Sequence, residues 1–182
     1  MSIRRLSRLL STLALALAMV ALGAGVAGAQ DPVPAQDPPA PAAEPSPYPP
    51  LPGDSGAGRR VVYSVGQQRV WWVEADGRVV NSYLVSGKAG TPNVGTYHVY
   101  SRSRHTTSVN GSARMEFMVR FARGRSAAIG FHSIPVNGRG APLQSEAQLG
   151  TPLSAGCVRQ RWWDAAGLWD WAPIGTQVNV VK

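Results

Sequence analysis

The chain has 182 residues, a formal charge of +8, fifteen prolines, six tryptophans and one cysteine. One cysteine excludes an internal disulfide, and scattered arginines without an aromatic-basic motif give nucleic acid no recognition element. A basic chain of this kind suits anionic wall polymers or phospholipid headgroups.

The N-terminus reads as a secretory signal peptide over residues 1–29. Arg4, Arg5 and Arg8 precede the apolar run Leu9–Leu22, and Ala27-Gly28-Ala29 supplies the small-x-small pattern that a signal peptidase reads. The run falls short of the ~20 apolar residues a span needs. Cleavage after Ala29 is therefore expected over a retained anchor, with no stable membrane span. The Arg4-Arg5 pair hints at twin-arginine export, but the residues after it match poorly, so general secretion is expected. No cysteine stands directly after the run, so a lipoprotein anchor is not expected. The protein is expected in the periplasm, cell wall or medium. Loss of the three arginines leaves a mature charge near +5.

Residues 30–57 form a Pro/Ala-rich linker that holds ten of the fifteen prolines. Such a segment buries too little surface to offset its ordering entropy and is expected as a semi-extended spacer. Residues 58–182 then make one domain of ordinary size.

This domain reads as mainly β. In Val61–Val65, residues 61, 63 and 65 share one face. Arg69–Ala75 and Arg78–Val85 flank Asp76-Gly77, a two-residue hairpin signal. Gly95–Ser101 alternates as one strand. Met115–Ala122 and Ala127–Ile134 flank Arg123-Gly124-Arg125, a second hairpin, and Thr176–Lys182 closes the chain as a strand. Only Gln160–Ala172 reads as a helix, with Trp163 (or Trp162), Ala166, Leu168 and Trp171 on one side, Asp164 in the first turn, and Pro173 as the stop. Gly167 weakens it by ~1 kcal/mol relative to alanine. The expected architecture is a β-sandwich or partial barrel with one helix. The tryptophans at 71, 72, 162, 163, 169 and 171 suit either helix-on-sheet packing or a sugar-stacking platform.

Cys157 is a buried filler, an intermolecular cross-link or a nucleophile. Thiol catalysis needs a base beside the sulfur and donors for an oxyanion. Gly156 permits a sharp turn, Arg159 adds positive field, and the following helix is expected to bring N-terminal amides near the thiol. Together these predict a thiol that titrates below the usual ~8.5. Of three histidines, His98 sits within a strand and His105 in a polar loop. His132 ends an apolar strand 25 residues before Cys157 and is the best base, unless it is structural. One cysteine and three dispersed histidines offer no zinc spacing, so no metal or cofactor is expected.

"FHS", followed by "LGTPLSAGCVRQ", resembles the signature of the L,D-transpeptidase catalytic domain (YkuD-type) family: a histidine, a spacer, then Ser/Thr-His-Gly-Cys, a hydrophobic residue, and Asn or Arg. "SGKAGTPNVGTYHVYSR" and "APIGTQVNVV" add looser likeness, so the resemblance covers about residues 60–182. It implies a cysteine acyltransferase acting on peptidoglycan stem peptides and forming 3→3 cross-links or attaching proteins. Within it, Cys157 is the nucleophile, His132 the base, and the Ser133 carbonyl its orienter. Gly156 and Cys157 supply oxyanion amides in the motif that Ser154 opens, and Arg159 holds a stem carboxylate or braces the loop. Covalent inhibition by carbapenem-type β-lactams follows from the same resemblance. Two departures stand out: Ala155 replaces the motif histidine, and 21 residues separate His132 from Ser154, a long spacer with "VNGRGAP" as a loop excursion. An L,D-carboxypeptidase using the same thioester and a non-catalytic wall-binding module stay open.

Overall fold

The structure is a computed structural model that describes residues 46–182. The expected signal peptide and most of the proline-rich segment lie outside the described residues.

Among the described residues, ten strands and one α-helix follow in order, with a short 3-10 turn at Glu146–Gln148: β1 (Arg60–Ser64), β2 (Arg69–Val73), β3 (Val79–Leu84), β4 (Gly95–His98), β5 (Ser101–Thr107), β6 (Ala113–Arg123), β7 (Ala128–Ser133), β8 (Val136–Asn137), β9 (Val158–Gln160), α1 (Trp162–Trp171) and β10 (Gln177–Val181). One sheet runs β3-β2-β1-β10-β4. The other runs β5-β6-β7-β9, with β8 on β6. The pairs β1–β10 and β7–β9 are parallel. The mainly β class with a single helix is as the sequence predicts.

The sheets close on an apolar core in which Val61, Tyr63, Val119, Phe121, Phe131, Val158 and Leu168 are all but fully buried. Tyr63 of β1 meets Phe131 of β7 edge-on at 6.1 Å, and Phe121 stacks on Phe131 at 4.6 Å. Full burial of each such side chain contributes ~1.5–3 kcal/mol. On the outer face of the first sheet, Trp71 packs with Val62, Val73 and Val181. Its indole N–H donates to the Pro49 carbonyl at 3.0 Å, so the end of the proline-rich segment lies on the domain.

Local readings change in three places. The 95–101 strand breaks at Val99: the Val99 amide donates to Thr176 and the Tyr100 amide to Arg120, so successive residues join different sheets. The stretch that holds His105 is strand β5, not a loop. The Asp76-Gly77 hairpin uses a longer turn, closed by bonds Gly77 N to Glu74 O and Glu74 N to Arg78 O, with Gly77 in the left-handed region.

The helix starts two residues later than expected, because Val158–Gln160 pairs with β7 as β9. Its buried face is Ala165, Leu168 and, just past its end, Ala172; Trp163 is 76% exposed. Gly167 is there for contact: a Cβ would stand 2.9 Å from the Trp72 ring, which stacks on Trp171 at 5.6 Å. Trp71 and Trp72 are thus core residues.

The segment Val85–Gly87 positions the cysteine loop. Ser86 and Arg159 exchange backbone bonds at 2.9 Å each way, and the Ser154 amide donates to the Gly87 carbonyl at 3.0 Å. At Gly87 a Cβ would sit 1.9 Å from the buried Tyr63 hydroxyl. Gly87→Ala must therefore displace either Tyr63 or the strap behind Cys157. The expected cost is ~1–3 kcal/mol, read as a lower denaturation midpoint; an unchanged midpoint contradicts this packing.

Candidate active site

Cys157 and His132 come to one cavity wall because β9 runs parallel beside β7. The register pairs Phe131 with Val158 and His132 with Arg159, which puts Cys157 just before β9, alongside the middle of β7. Both residues line one cavity of about 1240 Å³, and neither His98 nor His105 reaches it. His98 lies on edge strand β4, and His105 is 73% exposed at 4.0 Å from Glu116.

His132 is 3% exposed, and its Nδ1 lies 2.6 Å from the Ser133 carbonyl. A carbonyl oxygen only accepts, so Nδ1 carries the proton and Nε2 keeps its lone pair. Burial pulls the His132 pKa down to about 4; the Ser133 carbonyl opposes this, while Arg159 and Arg120 add to it. The Ser133 hydroxyl accepts from the Glu116 amide at 3.0 Å and fixes the backbone that holds the imidazole.

The Cys157 thiol donates to the Ala128 carbonyl at 3.5 Å. Burial raises its pKa, against the pull of the Gly130 amide, Arg120 and Arg159. This overturns the expected low-titrating thiol. One reason is the placement of α1: the three residues of β9, ~10 Å of chain, and Arg161 separate Cys157 from the helix start at Trp162. Both shifts favour the uncharged forms, a neutral thiol and a neutral imidazole, at neutral pH.

Ser154 and Gly156 brace the loop. The Ser154 hydroxyl donates to the Cys157 carbonyl and accepts from the Gly156 amide at 3.1 Å. In this resting state the Gly156 amide is thus engaged within the loop. Arg159 is half-buried on the cavity wall and donates to Gln144 Oε1 at 3.0 Å. Ala155 is exposed at the rim. The "VNGRGAP" excursion forms a tight turn closed by the Asn137 amide to the Ala141 carbonyl, with β8 held on β6.

Two site residues escape sequence reading. Gln144 is buried and carries Arg159, yet it lies in an irregular stretch with no pattern to mark it. Arg120 had a signal: a charge inside the apolar strand "MEFMVRFA". It faces the cavity between the core residues Val119 and Phe121.

A family model described as the L,D-transpeptidase catalytic domain matches residues 58–180. The chain belongs to the L,D-transpeptidase catalytic domain family. Solved structures similar to this family member include an L,D-transpeptidase (residues 123–326) from Xylanimonas cellulosilytica, at 26% identity and TM-score 0.55, covering 74% of this chain and 65% of that one. An L,D-transpeptidase from Mycobacterium tuberculosis H37Rv matches at 24% and 0.53, covering 70% and 59%. LD transpeptidase LdtMt1 in complex with imipenem matches at 22% and 0.55, covering 69% and 60%. The chain spans 59 to 65% of the length of these three structures. No curated protein matches.

The His132 environment of this L,D-transpeptidase domain predicts a pH dependence. The folded pKa lies below the ordinary 6.5. Between 6.5 and about 4 the unfolded chain binds a proton that the folded chain does not. Stability from this group is full above pH 6.5 and falls toward pH 4 at ~1.4 kcal/mol per pH unit, roughly 3 kcal/mol in all. Denaturant midpoints at pH 7 and 4.5 should fall further for wild type than for His132→Gln; equal falls contradict a neutral buried histidine.

Proposed function

We propose that the chain is an exported peptidoglycan L,D-transpeptidase that forms 3→3 cross-links, or attaches proteins to stem peptides, through a thioester on Cys157. The observation that carries this reading is the neutral Cys157–His132 pair in one cavity, with the imidazole tautomer set by the Ser133 carbonyl. Family membership and the charge of the cavity wall support it.

The donor is a stem peptide whose third residue is a diamino acid joined to D-Ala. His132 Nε2 takes the thiol proton as Sγ attacks the carbonyl of residue three. The Cys157 amide, with Gly156 once the loop releases it from Ser154, stabilises the oxyanion. His132 then gives the proton to the departing D-Ala nitrogen as the C–N bond breaks. The side-chain amine of a second stem attacks the thioester, its lost proton returns through His132, and the thiol is restored. No cofactor is needed, and Ala155 leaves His132 as the base. Carbapenem-type β-lactams would acylate the same sulfur; a relative's structure with imipenem supports that expectation.

Incubation of the mature chain with a disaccharide-tetrapeptide, followed by mass spectrometry, tests the reading. The expected product is a cross-linked dimer that has lost one D-Ala. Tripeptide alone identifies a carboxypeptidase, and unchanged substrate a wall-binding module.

A further inference from the structure

The cavity around Cys157 is lined by Lys88, Arg120, Arg123, Arg125 and Arg159, and by no aspartate or glutamate. Three of the five, Lys88, Arg123 and Arg125, are exposed and form an outer rim. Arg120 and Arg159 lie deeper. Neither takes part in an ion pair among the described residues. Arg159 is held by the neutral Gln144 amide. Arg120 is held only by hydroxyls: its NH1 donates to Ser103 Oγ at 2.8 Å and Ser101 Oγ at 3.4 Å, and its NH2 to Thr106 Oγ1 at 3.4 Å.

This arrangement orients a guanidinium without neutralising it. Three hydroxyl-bearing residues of β5 hold Arg120 across the strand pair. Its other neighbour in register is Gly130, whose missing side chain lets β6 and β7 approach: a Cβ there would meet the Val119 carbonyl at 2.6 Å. The positive field of Arg120 reaches both Cys157 and His132. A half-buried cation with no protein anion, beside a nucleophile and its base, calls for an anion brought by the substrate. The donor's leaving D-alanine carries its carboxylate one carbon from the scissile nitrogen, the atom His132 must protonate.

We propose that Arg120 is a specificity-determining residue that binds the terminal carboxylate of the donor stem peptide, with the exposed Lys88, Arg123 and Arg125 gathering anionic stems toward it. The identity of that carboxylate rests on the transpeptidase reading above; the anion site itself does not. An enzyme built this way selects stems that end at residue four with a free carboxylate and discriminates against amidated ends.

Two electrophiles of matched size test the anion site without any wall substrate. Cys157 is alkylated with iodoacetate and with iodoacetamide in wild type, Arg120→Gln, Arg120→Lys and Arg114→Gln, the last an exposed arginine of the same strand outside the cavity. The iodoacetate-to-iodoacetamide rate ratio is expected to exceed that of free cysteine in wild type and to fall about 10-fold in Arg120→Gln. Arg120→Lys keeps most of it and Arg114→Gln all of it. A ratio unchanged in a folded Arg120→Gln, or an equal fall in Arg114→Gln, overturns the proposal.

The second arm compares tetrapeptide donors with free and amidated C-termini. Wild type is expected to show a KM about 10- to 100-fold higher for the amide. Arg120→Gln should erase that difference, which a merely structural role would not do. Equal KM values in wild type overturn the carboxylate assignment even if Arg120→Gln does not fold. If wild type turns over neither donor, the transpeptidase reading fails, while the alkylation ratio still decides the anion site.

Discussion

Cys157→Ala is expected to lower stem-peptide turnover by at least ~10⁴-fold and to abolish β-lactam labelling, with the fold intact. The magnitude follows from removing the atom proposed to carry the acyl group, since losing a nucleophile removes the covalent route. Retention of the fold follows from the contacts of the sulfur. It makes one weak bond to the Ala128 carbonyl, and the loop is held instead by Ser154, Gly87 and Ser86. Far-UV circular dichroism and a denaturant midpoint close to wild type should accompany the loss. Retained turnover would show another nucleophile. Unfolding would return Cys157 to the role of a packing residue.

His132→Ala should cost ~10²–10⁴-fold in acylation, and His98→Ala and His105→Ala almost nothing. The contrast rests on placement, since His132 alone lines the cavity and is oriented by the Ser133 carbonyl at 2.6 Å. The neutral resting pair adds a kinetic signature. The acid limb of the wild-type acylation rate should lie near the depressed His132 value of about 4, far below an ordinary histidine. A His98→Ala loss as large as that of His132→Ala, or an acid limb near 6.5, would contradict the assignment.

Most strands were legible because alternation and turn residues act locally. Val61–Val65, the Val70–Val73 run and Gln177–Val181 read as strands since their apolar residues bury one face in the inter-sheet core and the other in the Trp71 cluster. What the sequence hides is non-local. Strand β9 is three residues, two of them polar, and exists because β7 lies beside it. Strand β5, "SRSRHTT", is polar enough to read as a loop and is ordered by pairing with β6. That pairing also places Ser101, Ser103 and Thr106 around Arg120. Cys157 and His132 were legible through chemistry and the quoted motif. The direction of the thiol shift was not, since burial depends on the cavity wall and the helix starts beyond β9.

Intact-mass measurement of the mature chain after incubation with a carbapenem at neutral pH, with peptide mapping of the adduct, tests the covalent role of Cys157 most directly. One equivalent of acyl adduct on the peptide that contains Cys157, absent in Cys157→Ala, is the predicted result. An unmodified wild-type chain across pH 5 to 9, or an adduct on any other residue, would contradict it.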